Sequence, residues 1–235
     1  MSKVQWLCLS FWACIANCYA EKIALHSYFI PGLVESPTQG LLIDMLKEIE
    51  QQGVLNFEVS LLPTQRTQQH FKAGRVQAYF PELEDFQPEK SCRTVAFMQK
   101  KIITVTLKSA QPINNISQLE GKKVGAVTGF SYGSDIINNP NIRLERVNND
   151  MANLDKLLAG RIDVIIGDIN STVAAIKARN LQSELRYNVD KPVSLLDVFF
   201  VFQDDPVGNA DCEKVSVALE QLRKTGYLKK VFNYQ

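Results

Sequence analysis

Beyond residue 20, two hydrophobic patterns take turns along the chain. Residues 22–28 alternate apolar and polar positions, which predicts a half-buried strand. Leu42, Met45, Leu46 and Ile49 then recur at three- and four-residue spacing and predict a helix over 41–52. Residues 57–62 read as a second strand. Thr64 is placed to cap a helix that runs to about Ala73, and 76–80 read as a third strand. This β-α-β-α-β order predicts a mainly parallel sheet with helices on its faces.

The pattern restarts after a connecting stretch. Residues 102–107 form an apolar run, and Ser117-Gln118-Leu119-Glu120 has the spacing of a capping box. Strands are predicted over 123–127 and 143–147, with Asp150 capping a helix through 159. Residues 162–167 are almost wholly apolar, as expected of a strand covered on both faces. A helix over 169–179, a strand over 198–202, a helix over 212–225 ended by Gly226 and a last short helix complete the pattern. One segment recurs at an offset of 86 positions. Ala73-Gly74-Arg75 leads through an apolar run to Glu82, and Ala159-Gly160-Arg161 leads through another to Asp168. Each is a helix end, a Gly-Arg turn, a strand and a carboxylate, the signature of a repeated α/β unit. Two such units leave a cleft between them, and open α/β sheets bind ligands beyond the carboxyl ends of their strands.

The first 20 residues follow neither pattern. Lys3 is their only charge, an apolar run extends from Val4 to Ala16, and Cys18 and Ala20 place small residues three and one positions before Glu21. This describes a secretory signal peptide over 1–20, with an apolar run too short for a membrane span of about 20 residues. Ile15-Ala16-Asn17-Cys18 loosely resembles a lipobox, but Asn17 fits poorly before a modified cysteine. The whole chain of 235 residues carries 26 Lys+Arg, 25 Asp+Glu and a formal net charge of +1. Without residues 1–20 the charges balance at 25 each, 215 residues remain, and five cysteines fall to two. That neutrality argues against a nucleic-acid partner and against electrostatic docking on a membrane. The hydrophobic content of 46% is that of a folded chain, not a disordered one. In an oxidising compartment Cys92 and Cys212 are either a disulfide or two buried thiols, and sequence leaves both open.

Candidate chemistry is confined to a few positions. Thr128-Gly129-Phe130-Ser131-Tyr132-Gly133 lies between a strand and a short helix, where free backbone N–H groups and the Thr128 and Ser131 hydroxyls suit an anion. The same residues also serve as ordinary turn and cap residues. Asp168 is either a helix cap or a cleft carboxylate for a ligand ammonium. Glu82 has the same two roles open to it, or is a solvated loop charge. The stretch 82–90 reads as a polar surface loop. No Gly-x-Ser-x-Gly elbow, His-Glu-x-x-His pair or Walker loop is present, and two histidines give little basis for a metal site. Neither an enzyme activity nor a cofactor is expected.

Several of these segments, in their order and spacing, resemble one family. They are Gly40-Leu41-Leu42-Ile43-Asp44, Phe71-Lys72-Ala73-Gly74-Arg75, the run from Leu119 to Gly129, the run from Leu157 to Asp168, and the closing Leu222–Phe232 stretch. Together they resemble the bacterial periplasmic solute-binding proteins of the polar amino-acid type, which serve ABC importers (extracellular solute-binding protein family 3, type II periplasmic-binding fold). The resemblance covers essentially all of residues 21–235. It implies an α/β fold of two lobes around a ligand cleft, with mixed, mainly parallel sheets. Lobe 1 would hold residues 21–104 and 197–235, and lobe 2 residues 105–196. Hinge closure over a small polar ligand would follow, with delivery by a periplasmic monomer to an ABC permease in the inner membrane.

The resemblance also implies site roles. Thr128 and Ser131 match the family's helix-start hydroxyls, Asp168 its ammonium-binding aspartate, and Tyr28 an aromatic wall. The family's carboxylate-gripping arginine has no direct match. Lys90 stands in its place and Arg93 follows three residues later. An arginine's planar fork meets a carboxylate bidentately, which a lysine does not reproduce. Two other functions stay open on this fold: a dehydratase-type enzyme using Glu82 as acid, and a stand-alone periplasmic sensor subunit.

Overall fold

The computed structural model describes residues 22–53, 55–86 and 88–234. The expected signal segment, residues 1–20, lies outside them. Among the described residues no helix is long and apolar enough to cross a membrane.

Strands β1 (Lys22–Ser27), β2 (Asn56–Leu61) and β3 (Ala78–Leu83) alternate with helices α1 (Leu41–Glu50) and α2 (Thr64–Lys72). Strand β1 pairs in parallel with both β2 and β3. Its Ile23, Leu25 and Ser27 are buried and the intervening side chains are not, as period-two alternation requires. Helix α1 buries Leu42, Ile43, Met45, Leu46 and Ile49 on one face. A three-residue strand, β4 (Ser91–Arg93), leads into β5 (Met98–Leu107).

The second half repeats the plan. Strands β6 (Lys123–Val127), β7 (Arg143–Val147) and β8 (Val164–Asp168) alternate with α3 (Ser134–Ile137), α4 (Asp150–Leu158) and α5 (Ile169–Ala178). Again the first strand pairs in parallel with the other two. Short β9 (Leu185–Tyr187), long β10 (Ser194–Gln203), α6 (Pro206–Lys224) and α7 (Tyr227–Phe232) follow. The expected α/β architecture of two lobes is what the chain adopts. The sheet order is β2-β1-β3-β10-β5-β8-β6-β7, with β4 beside β10 and β9 beside β5.

Strands β5 and β10 join the lobes. They run antiparallel over Met98–Ile102 and Ser194–Val198. Beyond that stretch β10 turns to β3 and β4, and β5 to β8 and β9. The hydrophobic core divides the same way. One cluster gathers Ile23 to Phe97 with Val198 to Leu228, and two others lie within 102–196. A disulfide joins Cys92 of β4 to Cys212 of α6 across 120 sequence positions.

The 86-residue repeat is structural. Ala73 and Ala159 are the C-caps of α2 and α4, and the glycines that follow adopt φ 65° and 66°. In both turns the arginine N–H reaches back five residues, Arg75 to the His70 carbonyl and Arg161 to the Lys156 carbonyl, each at 2.9 Å. That bond and the left-handed glycine are the Schellman stop, in which a side chain at the glycine would be strained. Glu82 then lies one residue before the end of β3, and Asp168 ends β8.

Local readings are corrected in four places. The capping box at Ser117 is not formed. Asn115 caps a 3-10 turn over Ile116–Leu119 by accepting the Gln118 N–H at 3.1 Å. Asn149, not Asp150, caps α4 through the Ala152 N–H at 2.9 Å. Pro63 precedes α2, and Thr64 is its first helical residue with no capping bond. Helix α6 begins at Pro206, six residues before the expected start, with Asp205 as its cap.

Candidate functional site

Beside the paired stretch of β5 and β10, the loop after β3 meets the loop after β6, and β8 ends next to β5. Strand β8 delivers Asp168 beside β5, in register with Ile102. Its Oδ1 accepts the Asn170 and Ser171 N–H groups at 2.8 and 3.2 Å and so caps α5. Both roles read from the sequence are therefore compatible: one oxygen caps, and the residue sits at the lobe junction.

Lys100 projects from β5 into this region. Its ammonium lies 4.9 Å from the Phe130 ring centre and 3.4 Å from the Ser131 carbonyl. Partial burial pushes its pKa down, while the charges of Asp168, Asp150 and Asp85 pull it back up. One ammonium is thus set among three carboxylates.

The loop after β6 is already engaged. Tyr132 is fully buried and its hydroxyl accepts the Val127 N–H at 2.8 Å, which fixes the turn. Thr128 is exposed. The Ser131 hydroxyl donates to the Asp85 carboxylate, and Asp85 also accepts the Gly133 and Ser134 N–H groups at 3.0 and 3.2 Å. The donors read as an anion site hold a carboxylate that the chain itself supplies from beyond β3.

Neither basic candidate reaches those donors. Lys90 is exposed, in a left-handed turn with φ 55° before β4. Arg93 donates to the Glu84 and Phe86 carbonyls at 3.2 and 2.9 Å and stacks 5.2 Å from the Phe199 ring centre. It clamps the loop on both sides of Asp85. Tyr28 is half-buried, and its hydroxyl donates to the Pro81 carbonyl at 2.8 Å, tying β1 to the end of β3.

Glu82 is not a solvated loop charge, and the stretch 82–90 is not merely a polar surface loop. Glu82 is 5% exposed and accepts from Tyr79 at 2.8 Å, Gln68 at 3.1 Å and the Leu83 N–H at 2.9 Å. Burial raises its carboxyl pKa above the ordinary 4.5, against the pull of these donors and of Arg93. A raised folded-state pKa means that the native state holds the proton longer. Glu82 therefore stabilises the fold most below pH 4.5, and that contribution is lost as pH rises through the folded value. Glu82→Gln is expected to flatten the decline in urea midpoint between pH 4.5 and 7.5. An unchanged slope would show that Glu82 ionises freely in the native protein.

Asp85 and Lys100 escaped the sequence reading. Asp85 lies in a charged stretch with no periodicity. Lys100 precedes the apolar run at 102, although strand alternation puts it on the same face as Ile102 and Thr104. His26 and His70 approach with ring centres 5.4 Å apart, and Cys92 is bonded to Cys212.

No protein-family model matches the chain. Over 130 residues it is 28% identical to the probable amino-acid-binding protein YxeM of Bacillus subtilis, covering 54% of this chain and 48% of that protein. The chain thus spans about half the length of the curated relative it matches. Among solved structures, the GluR0 ligand-binding core in complex with L-glutamate superposes with a TM-score of 0.68 at 15% identity, covering 92% of this chain and 98% of that one. The amino-acid transporter substrate-binding protein AbpA of Streptococcus pneumoniae, bound to L-arginine, gives 0.61 at 15%, with 90% and 93% covered. A histidine kinase sensor domain similar to periplasmic binding proteins gives 0.62 at 16%, with 90% and 94% covered. The chain has the two-lobed α/β fold of these ligand-binding structures and over 130 residues is similar in sequence to a probable amino-acid-binding protein.

Proposed function

We propose that the protein is a periplasmic solute-binding protein that captures a small polar ligand, an amino acid or related amine, by closing its lobes, and passes it to an ABC permease. The observation that carries this reading is the junction itself. Two strands connect two α/β lobes, and charged groups from both lobes meet beside them. Lobe 1 comprises residues 21–104 and 197–235 and lobe 2 residues 105–196, divisions supported by the separate cores, with Ile102 and Ile103 of the joining strand β5 packed into the clusters of lobe 2. The Cys92–Cys212 bond supports an oxidising compartment and an export signal over 1–20. The protein works as a monomer and performs no chemistry.

Asp168 holds the ligand's ammonium with its uncommitted oxygen, and Thr128 contributes an exposed hydroxyl. Tyr28, Glu82 and Arg93 act from behind, fixing the strand end and loop that face the ligand. Lys90 takes no part.

Asp168→Asn tests the assignment, because the amide oxygen keeps the cap of α5 while the charge is lost. A hydrogen bond to a charged group is worth about 1.5–3 kcal/mol, so affinity for the cognate amine should fall about ten- to a hundredfold by calorimetry. Unchanged affinity would remove Asp168 from the site.

A further inference from the structure

Resting on that reading, the contacts of Asp85 narrow the ligand. Three donors converge on its carboxylate: the Ser131 hydroxyl, the Gly133 N–H and the Ser134 N–H. They lie 46 to 49 positions away in sequence, across the junction of the lobes. The loop that presents Asp85 is held on purpose-fitting bonds. Arg93 donates to the carbonyls of both neighbours, Glu84 and Phe86, and the Glu84 N–H donates to the Asp197 carbonyl of β10 at 3.0 Å. The Arg93 guanidinium is therefore spent on placing a carboxylate, not on receiving one, and that of Arg146, at the base of the turn, donates to the Val127 carbonyl at 3.4 Å.

We propose that Asp85 is a specificity-determining residue: it competes in cis for the donors of the 131–134 turn, so the site prefers amines without an α-carboxylate over the parent amino acids.

A tethered group acts at an effective concentration of order mM, far above that of a scarce solute. A ligand carboxylate would have to evict Asp85 from these donors at a junction where Asp168 and Asp150 already act with Asp85 on the one Lys100 ammonium. A like charge placed there is unfavourable. Lys100 does not reverse this balance, since its one ammonium faces all three aspartates and rests against Phe130. A ligand that brings only positive charge leaves Asp85 in place and meets the carboxylate excess.

Decarboxylation pairs provide the test: arginine with agmatine, lysine with cadaverine, ornithine with putrescine. Each is titrated calorimetrically into the wild-type protein, Asp85→Ala and Asp85→Asn, with circular dichroism melts confirming that the variants fold. In at least one pair the amine should bind the wild-type protein tenfold or more tightly than its amino acid. That preference should shrink at least tenfold in Asp85→Ala, through a gain by the amino acid, and by less in Asp85→Asn. If, in every pair that binds, the amino acid binds the wild-type protein as well as its amine, the inference is overturned and the solute-binding reading stands. So does a preference that survives in folded Asp85→Ala. Silence from every pair on all three proteins overturns the solute-binding reading and the inference with it.

Discussion

Replacing Cys92 and Cys212 together with alanine is expected to lower the free energy of unfolding by about 3–5 kcal/mol. The bond closes a loop of 120 positions, and cross-linking a loop of that size removes a large share of the unfolded chain's freedom. Its location sharpens the effect. Cys92 sits in β4, in register with Phe202 of β10, and Cys212 is buried in α6 against the first core cluster. The first core cluster is assembled from two distant segments of chain, with the residues of the other two clusters, 102–196, between them. The disulfide fastens those segments to each other. Without it, the pairing of β10 with β3 and β4 and the packing of α6 on α1 and β4 must gather them. Because a domain is stable by only about 5–15 kcal/mol in total, the loss is a large fraction of the whole. Urea unfolding of the double variant beside the oxidised wild-type protein measures it. A difference below about 1 kcal/mol would mean that the unfolded chain is already compact near these residues.

Much of the fold was legible because the local signal and the tertiary demand agree. Strands β6 and β7 begin and end at the residues where the apolar pattern does. The Ala-Gly-Arg repeat was readable because only one local geometry, a left-handed glycine after a helix end, suits both copies. Strands β4 and β9 are three residues each, too short to show a period, and exist because β10 and β5 offer them edges. The early start of α6 was missed for a different reason. Its first turn carries few apolar residues, although Asp205 followed by Pro206 is a start signal that needs no periodicity. The capping residues Asn115 and Asn149 lie one or two positions from the expected ones, where several polar side chains compete for the same free N–H groups.

The site was legible only in part, and the dividing line is locality. Asp168 and Ser131 stand at positions their own strand and turn define. Asp85 gains its meaning from donors 46 to 49 positions away, and Lys100 from carboxylates on other segments. Nothing in the local sequence of either residue announces those encounters. Arg93 shows the same limit in reverse. Residue type and approximate position suggested a ligand contact, but the folded chain directs its guanidinium to two loop carbonyls.

Phe200→Ala should be the most damaging single substitution, at about 3–5 kcal/mol. Phe200 lies in β10, fully buried, stacked on Phe80 with ring centres 4.9 Å apart and tilted against Phe97 at 5.1 Å. These three rings tie a crossing strand, the last parallel strand of lobe 1 and the approach to β5 into one unit. Removing the middle ring forfeits its transfer energy and leaves a cavity that two aromatic faces and the paired strands cannot close. The lesion also bears on function. The core of lobe 2 contains none of these rings, so its packing should survive while lobe 1 loosens. Closure as proposed needs both walls, so ligand affinity should fall even though Phe200 touches none of Asp85, Lys100 or Asp168 by hydrogen bond or ring contact. Hydrogen exchange distinguishes this from general unfolding. Amides of β1 and β3 should lose protection in the variant, whereas those of β6 and β8 should keep it. Equal loss in both lobes would show that the two cores unfold as a single cooperative unit, with β5 and β10 transmitting damage across the junction.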